Sequence, residues 1–329
     1  MGIRYSEVFY SFQGEAELAG VPAVWLRFFG CNLECAGFGQ KDPTDPSTYV
    51  LPYQDFDLTN ITKNEQLPVW QTGCDSSYSW SKKYRHLAHD STAEELAQIM
   101  IDKNKSEHNP KGLFKHPVTG QHTMVCFTGG EPMLYQKHII DILRAMDKLN
   151  NMPEIVTIET NATRPLTDEL SKFIKGEFHW IGGKRWHWAM SPKLFTVSGE
   201  RNRIIPDIIT SYAGMQRINP EIDFQGRTGT YITSVLKFVC NGSELNWREL
   251  GAAVAAIKVI VDEANLNETS RWQRPGMSNL PPVWVMPVGA RAEEQTPAFL
   301  GPLCIEAMRR GYNVATRNQV AVFGNVIGS

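Results

Sequence analysis

The sequence carries almost no net charge. Its 33 Lys and Arg stand against 35 Asp and Glu, for a formal charge of −2 and a pI near 6.5. That balance excludes a strong general attraction to nucleic acid, and no direct nucleic-acid partner is expected. No stretch approaches the roughly 18 apolar residues that a membrane span needs, so no membrane association is expected. The start, Met1 to Glu7, lacks the apolar centre of a secretory signal. Cysteine is scarce, six in 329 residues, which argues against a disulfide framework and for reduced thiols in the cytoplasm. No internal repeat or low-complexity tract is present. A small basic group, Lys82, Lys83, Arg85 and His86, reads as a solvated loop.

What is present is enough chain to bury a large core, as one large α/β domain or two smaller ones. Short β-type runs are expected at 23–29, 123–128, 154–159, 186–190, 231–239, 282–286 and 319–323. Helical patterns fall at 92–103, 136–150, 167–175, 243–262 and 297–310, and Thr92 with Glu95 spells a capping box at the start of the first. Strands alternating with helices predict a mainly parallel sheet, with working groups at the C-terminal strand ends. Two stretches, about 37–73 and 195–229, lack sustained periodicity and read as long functional loops. Trp180, Trp186 and Trp188 are expected to pack in the barrel or an interface.

The cysteines divide into two kinds. Cys126, Cys240 and Cys304 lie in or beside apolar runs and read as inert core residues. Cys31 and Cys35 stand four apart on the loop leaving an apolar strand, and Cys74 follows after 38 intervening residues. Three thiolates can hold three irons of a [4Fe–4S] cluster and leave the fourth open; three Cys with one further ligand could instead hold structural zinc. Phe127-Thr128-Gly129-Gly130-Glu131-Pro132 joins a strand to a helix, and its glycines allow close backbone approach to a ligand.

Together, Cys31-x3-Cys35, Cys74-Asp75-Ser76 and Gly129-Gly130-Glu131-Pro132 resemble radical S-adenosylmethionine (SAM) enzymes. Phe12-Gln13-Gly14-Glu15, Arg27-Phe28-Phe29-Gly30, Glu159-Thr160-Asn161, Ser191-Pro192-Lys193 and Met286-Pro287-Val288-Gly289 narrow the resemblance to 7-carboxy-7-deazaguanine synthases. One departure stands out. The usual third cysteine is replaced at Phe38, and the stretch from Gly37 to Gly73 reads as an insertion inside the cluster loop. Loop-closure cost rises only logarithmically with length, so such an excursion is tolerable.

The resemblance implies one radical SAM domain over 1–329, an open TIM-like α/β barrel with long insertions at about 37–73 and 195–229. It implies cluster ligation by Cys31, Cys35 and Cys74. SAM would be held by Gly129, Gly130, Glu131, Glu159, Asn161, Ser191, Pro192, Lys193 and the Lys237, Phe238, Val239, Cys240 stretch. SAM would be cleaved to methionine and a 5′-deoxyadenosyl radical. The pterin substrate, 6-carboxy-5,6,7,8-tetrahydropterin, would meet Phe12, Gln13, Gly14, Glu15, Arg27 and Thr128, with Arg27 on its carboxylate. The product is 7-carboxy-7-deazaguanine, with loss of ammonia. Mg²⁺ on the Ser76 hydroxyl, a flavodoxin- or ferredoxin-like electron donor and a homodimer complete the implied set. A glycyl-radical activase would share the cluster and the Gly-Gly-Glu-Pro string, but has no need of Arg27 or the Gln13-Gly14-Glu15 turn. A non-catalytic metal- or RNA-binding relative would lack the cluster and SAM cleavage.

Overall fold

A computed structural model describes residues 2–178, 184–214, 231–267 and 280–328. The chain opens with an antiparallel pair, β1 (Ile3–Phe12) and β2 (Pro22–Phe28). Before the next long strand come the short helix α1 (Pro52–Asp55), a small edge strand β3 (His89–Ser91) and α2 (Ala93–Lys103). A β/α alternation follows: β4 (Met124–Gly129), α3 (Gln136–Lys148), β5 (Ile155–Thr160), α4 (Asp168–Lys175) and β6 (Arg185–Met190). Next come α5 (Phe195–Ser198), α6 (Pro206–Ala213), β7 (Tyr231–Cys240) and α7 (Glu244–Asn267). The chain ends with β8 (Val283–Pro287), α8 (Pro297–Arg309), β9 (Asn313–Val314) and α9 (Asn318–Phe323).

Among the described residues the strands form one open sheet in the order β3-β1-β2-β4-β5-β6-β7-β8-β9, parallel from β2 to β9. Period-two alternation divides its faces. Val24, Leu26 and Phe28 of β2, Val125 and Phe127 of β4, Val156 and Ile158 of β5, and Trp186 and Trp188 of β6 pack into the main core with helices α2, α3 and α4. The opposite face carries Arg27 beside Thr128, Cys126 beside Thr157, and His187 beside both Thr157 and Thr233. The sheet curls around that second face. Five strand spacings of about 4.8 Å would put β7 some 24 Å from β1 in a flat sheet. Yet Lys237 of β7 lies 3.0 Å from Glu15, three residues beyond β1. The architecture is therefore a partly closed β/α barrel with its C-terminal strand ends gathered on one side.

The expected helices all form, and Thr92 caps α2 in a full capping box with Glu95. One strand does not. Residues 319–323 lie in α9, where Val320 is buried while Val322 and Phe323 are exposed, and the ninth strand is Asn313–Val314 instead. Too short an apolar run shows no decisive period, and here the helical turn won. The 37–73 stretch is not an open lid: Tyr53, Leu67 and Trp70 form a second small core with Tyr78, Tyr84, Leu87 and Ile327. Within 195–229 the structure places α5 and α6, and residues 215–229 fall outside the described set, as does Trp180. Trp186 and Trp188 are fully buried, as are Cys126 and Cys240, but Cys304 is only half-buried on α8. Among the described residues no helix is long and apolar enough to cross a membrane.

Candidate active site

A cavity of about 320 Å³ opens at the C-terminal ends of the strands. One of its walls is built from the three cysteines. Cys31 and Cys35 lie on the loop after β2, and the displaced Cys74 joins them because the insertion closes on itself. The Gly73 N–H donates to the Phe38 carbonyl at 2.8 Å, so the excursion leaves and returns through one narrow neck. Gln40 locks that neck, donating to the Ala36 and Val50 carbonyls and accepting from the Val50 N–H. A residue 39 positions away is thereby returned to the side of Cys35.

The loop of Cys31 and Cys35 is held from two sides. A Cβ at Gly130 would lie 2.2 Å from the Gly30 carbonyl and 2.7 Å from Cys31 Cβ, so only glycine permits the approach. The Glu131 N–H then donates to the Gly30 carbonyl at 2.9 Å. On the other side Glu200 accepts from the Glu34 and Cys35 N–H groups, both at 2.9 Å, and Cys35 takes a positive φ of 50°. All three thiols are free and line the same cavity. Burial pushes the Cys31 thiol up to about 12, with partial relief from the Leu33 N–H, and raises Cys35 and Cys74 as well. Among the described residues no three Cys, His, Asp or Glu side chains converge tightly enough to hold a single metal ion. Three thiols lining one cavity are the donor set that a [4Fe–4S] cluster with one open iron takes.

The opposite wall is charged and already paired. Lys237, buried, donates to Glu159 at 2.7 Å and to Glu15 at 3.0 Å, and Gln13 donates to Glu159 at 2.9 Å. Burial alone would raise Glu15, but Lys237 and Arg317 overcome it and hold the carboxyl down to about 2. The carboxylates of Glu159 and Glu15 in turn keep Lys237 above its ordinary value despite desolvation. Gln319 donates to Glu15 at 3.0 Å and presses on Gly14, where a Cβ would sit 1.7 Å from the Gln319 amide oxygen. Arg317 reaches Asp75 at 3.3 Å and so ties α9 to the loop of Cys74.

Of the expected site residues, Phe12, Gln13, Gly14, Glu15, Arg27 and Thr128 all line this cavity. So do Gly129, Gly130, Glu159, Asn161, Ser191 and Lys193, as well as Lys237, Val239 and Ser76, whose hydroxyl is 3.5 Å from the Cys74 sulfur. Four expected residues stand off it: Glu131, Pro192, Phe238 and Cys240. The side chains of Phe238 and Cys240 point to the helix-covered face because they alternate with Lys237 and Val239, so it is the backbone of this stretch that the resemblance offers to SAM. Glu131 is fully buried and spends its carboxylate on protein groups, accepting from the Met133 N–H, the Thr160 hydroxyl and the Asn161 N–H. These bonds fix the glycine turn from behind. The sequence reading missed Glu7, Tyr78, Glu200, Arg317 and Gln319; the last two lay in or beside the run read as a strand.

No protein-family model matches the chain. Curated relatives do. The 7-carboxy-7-deazaguanine synthase of Methanospirillum hungatei is 26% identical over 167 residues, 51% of this chain and 45% of that protein. The enzyme of the same name from Bacteroides thetaiotaomicron is 28% identical over 167 residues, covering 51% and 56%. That from Rhodopirellula baltica is 25% identical over 327 residues, covering 98% and 88%. The chain is thus similar to proteins named 7-carboxy-7-deazaguanine synthase. The match spans about half the length of the first two relatives. A crystal structure of QueE from Escherichia coli overlaps 97% of this chain and 95% of its own, with a TM-score of 0.46 and 15% identity, a remote likeness.

Proposed function

We propose that the chain is a radical SAM 7-carboxy-7-deazaguanine synthase, converting 6-carboxy-5,6,7,8-tetrahydropterin to 7-carboxy-7-deazaguanine with loss of ammonia in 7-deazapurine biosynthesis. The observation that carries the reading is the neck at Phe38 and Gly73, which returns Cys74 to the cavity of Cys31 and Cys35. The relatives' shared name supports the same reading. Cys31, Cys35 and Cys74 would hold a [4Fe–4S] cluster, and the turn at Gly129 and Gly130, with Asn161, Ser191 and Lys193, would hold SAM. When bound, the reduced cluster and SAM supply the radical that abstracts hydrogen from the substrate.

The chain's own residues then divide the remaining work. Lys193 places a cation near the Cys31 and Cys35 thiols, where it can meet a carboxylate. Arg27 presents a planar cation to the substrate carboxylate. Gln13, Glu15 and Glu159, fixed by Lys237, offer oriented polar groups to a heterocycle edge. The wall's charges are paired before any ligand arrives, so its polar groups need no rearrangement to receive one. Mg²⁺ on the Ser76 hydroxyl, an external small electron-transfer protein, a homodimer and a cytoplasmic setting belong to the same proposal. Gln13, Glu15 and Arg27 at the cavity favour a small-molecule substrate over the protein substrate of a glycyl-radical activase.

The test is anaerobic reconstitution with iron and sulfide, then incubation with the pterin, SAM, Mg²⁺ and reductant, with mass spectrometry for 7-carboxy-7-deazaguanine. Product from the parent and none from Cys74→Ala is the expected result. SAM cleavage without that product would overturn the substrate assignment. A parent that takes up no cluster would overturn the radical SAM reading itself.

A further inference from the structure

Arg27 does not stand alone in the cavity wall. Its Nε donates to Glu7 Oε1 at 2.7 Å, and the Tyr78 hydroxyl donates to that same oxygen at 2.8 Å. The guanidinium lies between two aromatic rings, 5.8 Å from the Phe9 centroid and 5.7 Å from that of Tyr78. Phe9 is itself stacked on Trp25, with 1° between the ring planes. Glu7 and Tyr78 are both buried, and Arg27 and Tyr78 both line the cavity.

A backbone irregularity makes this arrangement. Tyr5 pairs with Phe28 on the core side, and simple alternation would turn Glu7 the same way. The register slips between Tyr5 and Glu7, so Glu7 pairs with Arg27 on the cavity side instead. The insertion braces the slip: Asn64, buried, donates its side-chain amide to the carbonyl of Ser6, the residue between them, at 2.8 Å. Bulges of this kind re-aim a side chain near a working site. With Nε committed to Glu7 and two rings within 6 Å of the guanidinium carbon, its terminal N–H groups are left for a planar anion.

We propose that Glu7 and Tyr78 are positioning residues that hold Arg27 edge-on to the cavity and so make the site select a carboxylated substrate. The inference rests on the proposed pterin reading and adds to it the groups that set its selectivity. Neither residue touches substrate in this scheme; both act through Arg27.

The experiment measures equilibrium binding to the anaerobic, cluster-loaded protein with SAM present. The two probes are 6-carboxytetrahydropterin and tetrahydropterin without the carboxylate, and the readout is the ratio of their Kd values. In the parent the carboxylated probe binds more tightly, and Arg27→Ala removes the preference. Glu7→Ala is expected to shrink the preference about tenfold, and Tyr78→Phe, which keeps the ring and the fold, about threefold. Glu7→Gln keeps an oxygen acceptor for Arg27 Nε and Tyr78 and is expected to retain most of the preference, which a charge-only role would not allow. An unchanged ratio in both Glu7→Ala and Tyr78→Phe, with Arg27→Ala still abolishing it, would overturn the positioning role and leave the pterin reading standing. If Glu7→Ala does not fold, the Tyr78→Phe ratio decides. A parent that binds both probes equally, or neither, would overturn both readings at once.

Discussion

The two walls of the cavity are equally buried and opposite in condition. On the charged wall, Lys237 answers Glu15 and Glu159, Gln13 and Gln319 complete the hydrogen bonds, and Glu15 stays ionised down to about pH 2. On the cysteine wall nothing answers the sulfurs fully: burial holds the thiols protonated, and Lys193 offsets it only in part. The polypeptide finishes the first wall by itself, and on the proposed function a cluster would finish the second. Desolvated charges must be paired within the fold. A thiol can wait as a small neutral hydrophobe.

The comparison can be broken where its energies are largest. Lys237→Met takes the shared cation from two half-buried carboxylates and should cost about 2–4 kcal/mol of stability in the apo protein, read by urea denaturation. A loss below about 1 kcal/mol would mean that water reaches the pair and the wall is not closed. Acid probes the same wall without mutation. The folded pKa of Glu15 lies below its ordinary 4.5, so its stabilisation is present above that value and is lost as pH falls toward 2. Unfolding measured across that window should give up on the order of 2–3 kcal/mol more in the parent than in Glu15→Gln.

Gly130→Ala sharpens the contrast from the other side. The added methyl meets the Gly30 carbonyl and Cys31 Cβ, and should cost about 1–3 kcal/mol in thermal unfolding while also lowering iron uptake. The smallest effect on the fold is expected from Cys74→Ala. It should change apo stability by about 1 kcal/mol or less, yet leave the reconstituted protein without its normal iron content and visible absorption. A large loss of apo stability in that variant would show that the cysteine wall is structural and not a cofactor seat.

Much of this was legible in the chain. The β/α alternation follows from apolar runs of strand length set between helical patterns, and α2 begins where Thr92 and Glu95 announce a start. Cys31, Cys35 and the Gly129-Gly130 turn all reached the site because each sits at the end of a strand, where a parallel sheet must deliver it. Other groups were hidden by non-local causes. Residues 319–323 were misread because a run that short packs equally well as a strand or as a helical turn, and contact with Gly14 chose the helix. The partners of Glu131, Thr160 and the Asn161 N–H, arrive from another strand and could not be read from the glycine turn beside it.

Local chemistry written in the sequence therefore determined the elements, the apolar face of each strand, the glycines that allow close approach and the thiols available for a cluster. These depend on period, caps and side-chain size within a few residues. Only the tertiary structure decided that Cys74 lies beside Cys35, that Lys237 answers Glu15 across a curled sheet, and that a register slip turns Glu7 toward Arg27. Each of those depends on pairing between distant segments, where one hydrogen bond at a neck or one slipped residue in a ladder moves a side chain to a different face.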